Sequence, residues 1–245
     1  MERHPEYTEP TDVKQRLRER ALAYIDISMY KEAIVEYEKI IKLDARDYRA
    51  YQSYIDLAIT LEENKEIEKS IECYRDALKF FPDNSFLYTN LGYCFSKYSK
   101  RPDIAMVCYE KALELDPFDC VALNNIGSIL ARAGKLQEAL SYFKEAMRVE
   151  YREGKMPGYT AAHNAARAYY LSKDYEHALI LYGILKSSYP DKIPVCTEFA
   201  CLYYRMGRLE EALEMLDSML YQYPNSRHCL RLYNLIREKL DKSGY

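Results

Sequence analysis

Along most of the chain, apolar side chains return at intervals of three and four residues, the spacing that gathers them on one face of a helix. The pattern is plainest in the middle. Leu123, Ile126 and Leu130 form one stripe, Leu136, Leu140, Phe143 and Met147 form a second, and Ala133-Gly134-Lys135 separates them. Two amphipathic helices joined by so short a turn must fold back on each other. Gly127 and Ala139 are the small residues that let the stripes close; large side chains there would cost overpacking strain of about 1–3 kcal/mol. The same alternation starts near Val13, with Leu17, Ala21 and Tyr24 on a first helix and Ala33, Tyr37, Ile40 and Ile41 on a second, across the turn Ser28-Met29-Tyr30-Lys31.

The unit recurs. A small residue opens each second helix at Ala33, Ser70, Ala105, Ala139, Ala178 and Ala212, at spacings of 37, 35, 34, 39 and 34. Four residues later stands a large apolar one: Tyr37, Tyr74, Tyr109, Phe143, Tyr182 and Leu216. Pro82, Pro117, Pro190 and Pro224 each follow their small residue by 12 and stop the helix, since proline cannot continue it. Departures from 34 are expected in turns: three extra residues at Glu62-Glu63-Asn64-Lys65, one at Tyr98-Ser99-Lys100-Arg101-Pro102, and five at 151–158, where the usual proline is missing. That last loop reads as a longer turn, or as a hinge or second contact.

A small residue, an aromatic four later and an alanine three beyond that (Ala139, Phe143, Ala146) form a signature that resembles the tetratricopeptide repeat. The resemblance covers about 13–225. It implies an all-α fold: an α-solenoid of six helix–turn–helix repeats, approximately 13–46, 47–83, 84–118, 119–157, 158–191 and 192–225, wound as a right-handed superhelix. Residues 1–12 read as a mobile tail and 226–245 as a capping helix and tail. The cap carries Cys229, Leu232, Tyr233, Ile236 and Leu240 on one face, to cover the last apolar surface of a stack. The family's usual tryptophan is absent; with 26 Tyr and no Trp, aromatic packing rests on tyrosine.

In this family the first helix of each pair lines a concave groove. Carried onto this chain, Asn90, Asn125 and Asn164 each precede a small contact residue (Gly92, Gly127, Ala166) by two and so recur on one face. A primary amide can donate to and accept from a peptide backbone, so these three would grip an extended segment; the alternative is a bond to a neighbouring helix. Lys97, Arg132 and Arg205 follow Gly92, Gly127 and Ala200 by five, and Arg167 follows Ala166 directly. Tyr93, His163, Tyr170 and Tyr204 interleave with them. Such a surface favours an acidic segment or a terminal carboxylate, with ordinary solubility charge as the plain alternative. The family's two-part lysine–asparagine clamp is incomplete in every frame, so a chaperone-tail receptor of that kind is not expected.

Composition narrows the rest. A net charge of −3 and pI near 5.9 give no general reason to expect nucleic acid. No apolar run is long enough to cross a bilayer, the first ten residues lack a secretory core, and seven cysteines without a Cys-x-x-Cys pair read as reduced thiols; the expected location is cytoplasmic. Four scattered histidines and the absence of hydrolase, phosphate-loop or zinc motifs leave no catalytic or metal residues and no cofactor. A helical-hairpin enzyme of the prenyltransferase type is disfavoured by the absence of tryptophan. The expected function is therefore a non-catalytic scaffold or adaptor that binds a protein or peptide. Its rival is a structural subunit that self-associates or docks through its ends or convex face.

Overall fold

A computed structural model of the chain describes residues 10–44, 51–152, 158–190 and 192–242. Among them are thirteen α-helices and no strand: α1 Pro10–Asp26, α2 Tyr30–Asp44, α3 Tyr51–Glu63, α4 Ile67–Phe80, α5 Ser85–Lys97, α6 Pro102–Leu115, α7 Cys120–Arg132, α8 Leu136–Arg152, α9 Tyr159–Leu171, α10 Tyr175–Ser188, α11 Ile193–Arg205, α12 Leu209–Gln222 and α13 Arg227–Lys242. Two compact units divide between Ala122 and Leu123. In the first, α1 packs on α2, α3 on α4 and α5 on α6; in the second, α9 packs on α10 and α11 on α12, and α13 follows against α12.

The two rows read from the sequence form the seam of each hairpin. Ala33, Ser70, Ala105, Ala139, Ala178 and Ala212 have no exposed surface, and none of the six large residues that follow them exceeds 1% exposure. Burying a large apolar side chain stabilises by about 1.5–3 kcal/mol, so this row is the main source of cohesion within each pair. Two glycines let the approach go closer still. A Cβ at Gly127 would stand 2.6 Å from the Phe143 ring, and one at Gly92 would stand 2.8 Å from Tyr109.

Each hairpin turn is closed by one residue in the left-handed region, five positions before the small residue: Ser28, Lys65, Lys100, Gly134, Lys173 and Gly207, with φ between 52° and 78°. Amides just past these residues reach back to the preceding helix, as Lys135 N does to Leu130 O at 3.0 Å and Arg208 N to Tyr203 O at 2.9 Å. These bonds satisfy carbonyls that the helix end would otherwise leave open. At Lys100 the bond spans six residues, Arg101 N to Phe95 O, which places the one-residue insertion there as expected. Prolines 82, 117, 190 and 224 each stand two residues beyond a helix end.

Four expectations change. The turn at Glu62–Lys65 has the same geometry as the others, Glu66 N bonding Leu61 O at 2.8 Å; the three extra residues instead lie between Ala33 and Tyr51, because a spacing between two markers does not say which connection holds the excess. Helix α1 begins at Pro10, not near Val13; proline suits a first helical position, where its missing N–H has no partner to lose. Tyr30 and Lys31, read as turn, open α2. Of the loop expected at 151–158, Tyr151 and Arg152 belong to α8, which runs 17 residues against 14 in α4, α6, α10 and α12. Residues 153–157 lie outside the described residues, as does most of the expected tail, 1–9. Gly158 opens α9, its amide donating to Glu150 Oε2 at 2.6 Å.

Candidate functional site

The second unit carries the denser polar cluster. Helix α9 buries Ala161, Ala162, Ala165, Ala166 and Ala168, so its apolar face is thin and lets neighbours come close. Its other face, at three- and four-residue steps, presents His163, Arg167 and Tyr170. Helix α11 buries Val195, Phe199, Ala200 and Leu202 and presents Glu198, Cys201 and Tyr204 in the same way, with Arg205 beside them. Between the two helices a cavity of about 180 Å³ is lined by Arg167, Tyr170, Leu171, Tyr182, Glu198 and Cys201.

Glu198 is the centre. Its Oε2 meets His163 Nε2 at 2.7 Å and accepts from Tyr182 Oη at 3.0 Å, and Arg167 Nε lies 3.5 Å from Oε1. Burial alone would push the Glu198 carboxyl up; the bonds and charge of His163, with Tyr182 and Arg167, outweigh it and hold the group below its usual range. Burial, reinforced by the Glu198 charge, pushes the Tyr182 hydroxyl well above an ordinary phenol. His163 stacks on Tyr159 at 5.1 Å, which fixes the plane of its ring. The carboxylate therefore faces protein donors. The side chain of Arg167, 56% exposed, faces outward for most of its surface.

Other expected residues fall nearby. Arg205 Nε donates to Tyr170 Oη at 3.2 Å. Lys239 of α13 stands 4.4 Å above the ring of Tyr204. Arg132 ends α7 and is exposed; Asn125 is half-buried on the same helix. Asn164 Nδ2 donates to Asn124 Oδ1 at 3.0 Å and to Ser128 Oγ at 3.3 Å. Both its hydrogens thus serve the neighbouring helix α7, leaving its carbonyl oxygen to accept.

In the first unit, Tyr93 and Lys97 are together. Lys97 Nζ donates to Tyr93 Oη at 2.5 Å and lies 4.8 and 4.7 Å from the rings of Tyr93 and Tyr98. These hydroxyl contacts raise its pKa. Asn90 Nδ2 donates to Phe86 O of its own helix at 2.8 Å. Acidic groups stand on α3: Asp56 pairs with Arg18 at 2.7 Å, and Glu62 accepts from Tyr74, Ser70 and Cys94.

The sequence reading missed Glu198 and Tyr182 as a pair. A signal was present: Glu198 stands 34 residues after Asn164, where the row of asparagines gives way to an acid. Lys239, 34 residues after Arg205, was missed for the same reason, because the last helix was taken only as a cover.

Known proteins agree with this architecture. Family models described as tetratricopeptide repeat match residues 19–47, 51–84, 87–119, 118–183 and 199–226. The chain belongs to the tetratricopeptide repeat family. It is 31% identical over 108 residues to the peroxisomal targeting signal receptor of Candida albicans, covering 44% of this chain and 18% of the receptor. To the mitochondrial import receptor subunit TOM70 of Mus musculus it is 26% identical over 141 residues, 58% and 23% of the two chains. The chain thus spans about a fifth of the length of these relatives. Among solved structures, PilW, a widely conserved type IV pilus biogenesis factor, superposes with a TM-score of 0.76 at 20% identity over 90% of this chain and 98% of its own. YrrB, described as having an unusual peptide-binding site, gives 0.53 at 23% identity over 73% and 88%. At these identities the structural likenesses show the fold alone. The solenoid is of a protein-binding family, and among the described residues no helix is long and apolar enough to cross a membrane.

Proposed function

We propose that the chain is a non-catalytic scaffold whose second unit holds an extended, acidic segment of a partner protein on the concave face of α7, α9 and α11. One observation carries this reading: the carboxylate of the cavity, Glu198, is turned to His163, Tyr182 and Arg167, while the exposed Arg167 lines the cavity and the exposed Arg205 bonds Tyr170 of its lining. The field met by a ligand is therefore positive although the whole chain is acidic. Asn125 and the carbonyl oxygen of Asn164 would bond a backbone, and Tyr170 and Tyr204 would supply flat surfaces, while the ring of His163 is taken up by Tyr159 and Glu198. In the first unit, Asn90, Tyr93 and Lys97 would serve a second stretch of the same kind. Relatives named as targeting and import receptors, and a fold neighbour described by its peptide site, support a recognition role. The seven cysteines, all thiols and five of them buried, support a reducing compartment such as the cytoplasm.

The test is fluorescence anisotropy with a labelled glutamate-rich peptide and its glutamine counterpart, at low and high salt. The acidic peptide should bind more tightly, more so at low salt, and Arg167→Gln with Arg205→Gln should remove most of the difference. Equal binding of the two peptides refutes the acidic reading. Concentration-dependent association of the chain without peptide, seen by light scattering, would favour the assembly subunit instead.

A further inference from the structure

Two contacts in the second unit join the same positions of successive helices, one through a tyrosine hydroxyl and one through a tyrosine ring. Tyr170 of α9 meets Arg205 of α11, and Tyr204 of α11 meets Lys239 of α13. In each, a tyrosine pairs with a cation 35 residues later, and each member of the second pair lies 34 residues after its counterpart in the first. The core shows the same register. Cys229 and Ile236, the two fully buried side chains of α13, stand 34 residues after Val195 and Leu202 of α11, which are also fully buried. Helix α13 therefore sits beyond α12 as α11 sits beyond α10. It continues the row of groove helices, and what it adds to the face is a cation.

From this we infer that α13 is a wall of the binding face rather than a cover, and that the face reads acidic groups spaced three residues apart. This deepens the acidic-segment reading and rests on it. Four successive helices of the row each bring one cation: Arg132 from α7, Arg205 from α11 and Lys239 from α13 at the same helical position, and Arg167 from α9 one turn nearer the start of its helix. Packed helices lie about 8–10 Å apart. A peptide in the polyproline II conformation crossing them advances about 3.1 Å per residue at three residues per turn, so it turns every third side chain to the face and passes one cation about every three residues. The tyrosines that touch Arg205 and Lys239 restrain those side chains before binding, which lowers the ordering cost of each ion pair. A segment with acids in one block reaches one or two of the four; a segment with acids at every third residue reaches all of them.

Three labelled twelve-residue peptides test this: four glutamates each followed by two serines or threonines, the same residues with the glutamates contiguous, and the spaced version with glutamine for glutamate. The spaced acid should bind about five- to tenfold more tightly than the contiguous one, the worth of two or three added exposed ion pairs. Lys239→Glu should weaken the spaced peptide by about tenfold. Against two shortened peptides, each lacking one terminal glutamate, that substitution should be silent for one and not the other, since only one end lies on α13. Unchanged helix content and melting of Lys239→Glu by circular dichroism separate a groove effect from loss of the last helix. Equal binding of spaced and contiguous acids overturns the register while leaving the acidic groove standing. Binding of neither acid above the glutamine control overturns both, and a silent Lys239→Glu across all peptides removes α13 from the face.

Discussion

Two glycines of the second unit, both inside helices, give the sharpest test of how the hairpins pack. Replacing glycine by alanine in a helix gains about 1 kcal/mol from backbone entropy. At Gly183 of α10 the new Cβ meets nothing within 4 Å, so the full gain should appear. At Gly127 of α7 it would stand 2.6, 2.8 and 3.0 Å from three atoms of the Phe143 ring. Carbon atoms prefer about 3.5–4.0 Å, and Phe143, 1% exposed, has no room to swing away. The helices must part, at an overpacking cost of about 1–3 kcal/mol. Gly183→Ala should therefore raise stability by about 1 kcal/mol, and Gly127→Ala should lower it by up to about 2 kcal/mol net. Alanine does fill the equivalent place elsewhere: Ala166 lies 16 residues before Tyr182, as Gly127 does before Phe143. A methyl is thus compatible with the motif when the pair has assembled around it, and the cost at Gly127 is that of reopening a pair that closed without one. Urea unfolding followed by circular dichroism measures both variants against a shared transition, because the two sites lie in one compact unit. A midpoint for Gly127→Ala raised as far as that for Gly183→Ala would refute the close approach. Adding Phe143→Leu to Gly127→Ala should recover part of the loss as a coupling between the sites.

Lys173 holds a left-handed backbone at φ 63°, a region that costs a side-chain-bearing residue about 1–2 kcal/mol. Lys173→Gly should raise the melting midpoint by part of that, and Gly207→Ala, at φ 78°, should lower it. Glu198 has a folded pKa below its ordinary value of 4.5, so the stability it contributes is present above that value and is lost as pH falls through the folded one. Glu198→Gln should flatten that acid limb in a pH series of melts, leaving the part that Glu36 and the more exposed Glu66, Asp103, Asp174 and Glu211, lowered in the same sense, provide. Burial pushes Cys73 up to about 12 and Cys108 up to about 11, so at neutral pH a thiol reagent should modify the half-buried Cys120 first, Cys201 more slowly because burial and the Glu198 charge raise its thiol too, and the buried thiols only on unfolding.

The architecture was legible because it is written as a period. Small and large residues at fixed offsets named the hairpin seams, and the buried row from Ala33 to Ala212 follows them without exception. What the period could not resolve was position within it. The spacing from Ala33 to Ser70 counts three extra residues but is silent on whether they precede or follow α3. Likewise α13 was read as a cover because a stack needs its last apolar face closed; with Asn234 standing where Ala200 stands in α11, 34 residues earlier, the small residue that marks a repeat is missing from a helix otherwise in register.

The groove was less legible for a different reason: an asparagine has two neighbours to choose from. Placed between successive first helices, a polar side chain can point to solvent or reach the helix before it. In this chain the reach recurs. Asp56 meets Arg18, Asn164 meets Asn124, and Glu198 meets His163, each bond joining one first helix to the one before it. In a water-facing groove such bonds are worth about 1 kcal/mol each, yet they fix the spacing and rotation of the helices that display Arg167, Arg205 and Lys239. On the proposed function, recognition then divides into two layers. The inner layer is a set of inter-helix pairs that sets the pitch of the face, and the outer layer is the cations and tyrosines mounted on it. Removing an inner member, as in His163→Ala, should blunt binding by loosening the array, so its effect should persist at high salt. Removing an outer cation should weaken binding by an amount that salt abolishes. Identical salt dependence for His163→Ala and Arg205→Gln would collapse the two layers into one.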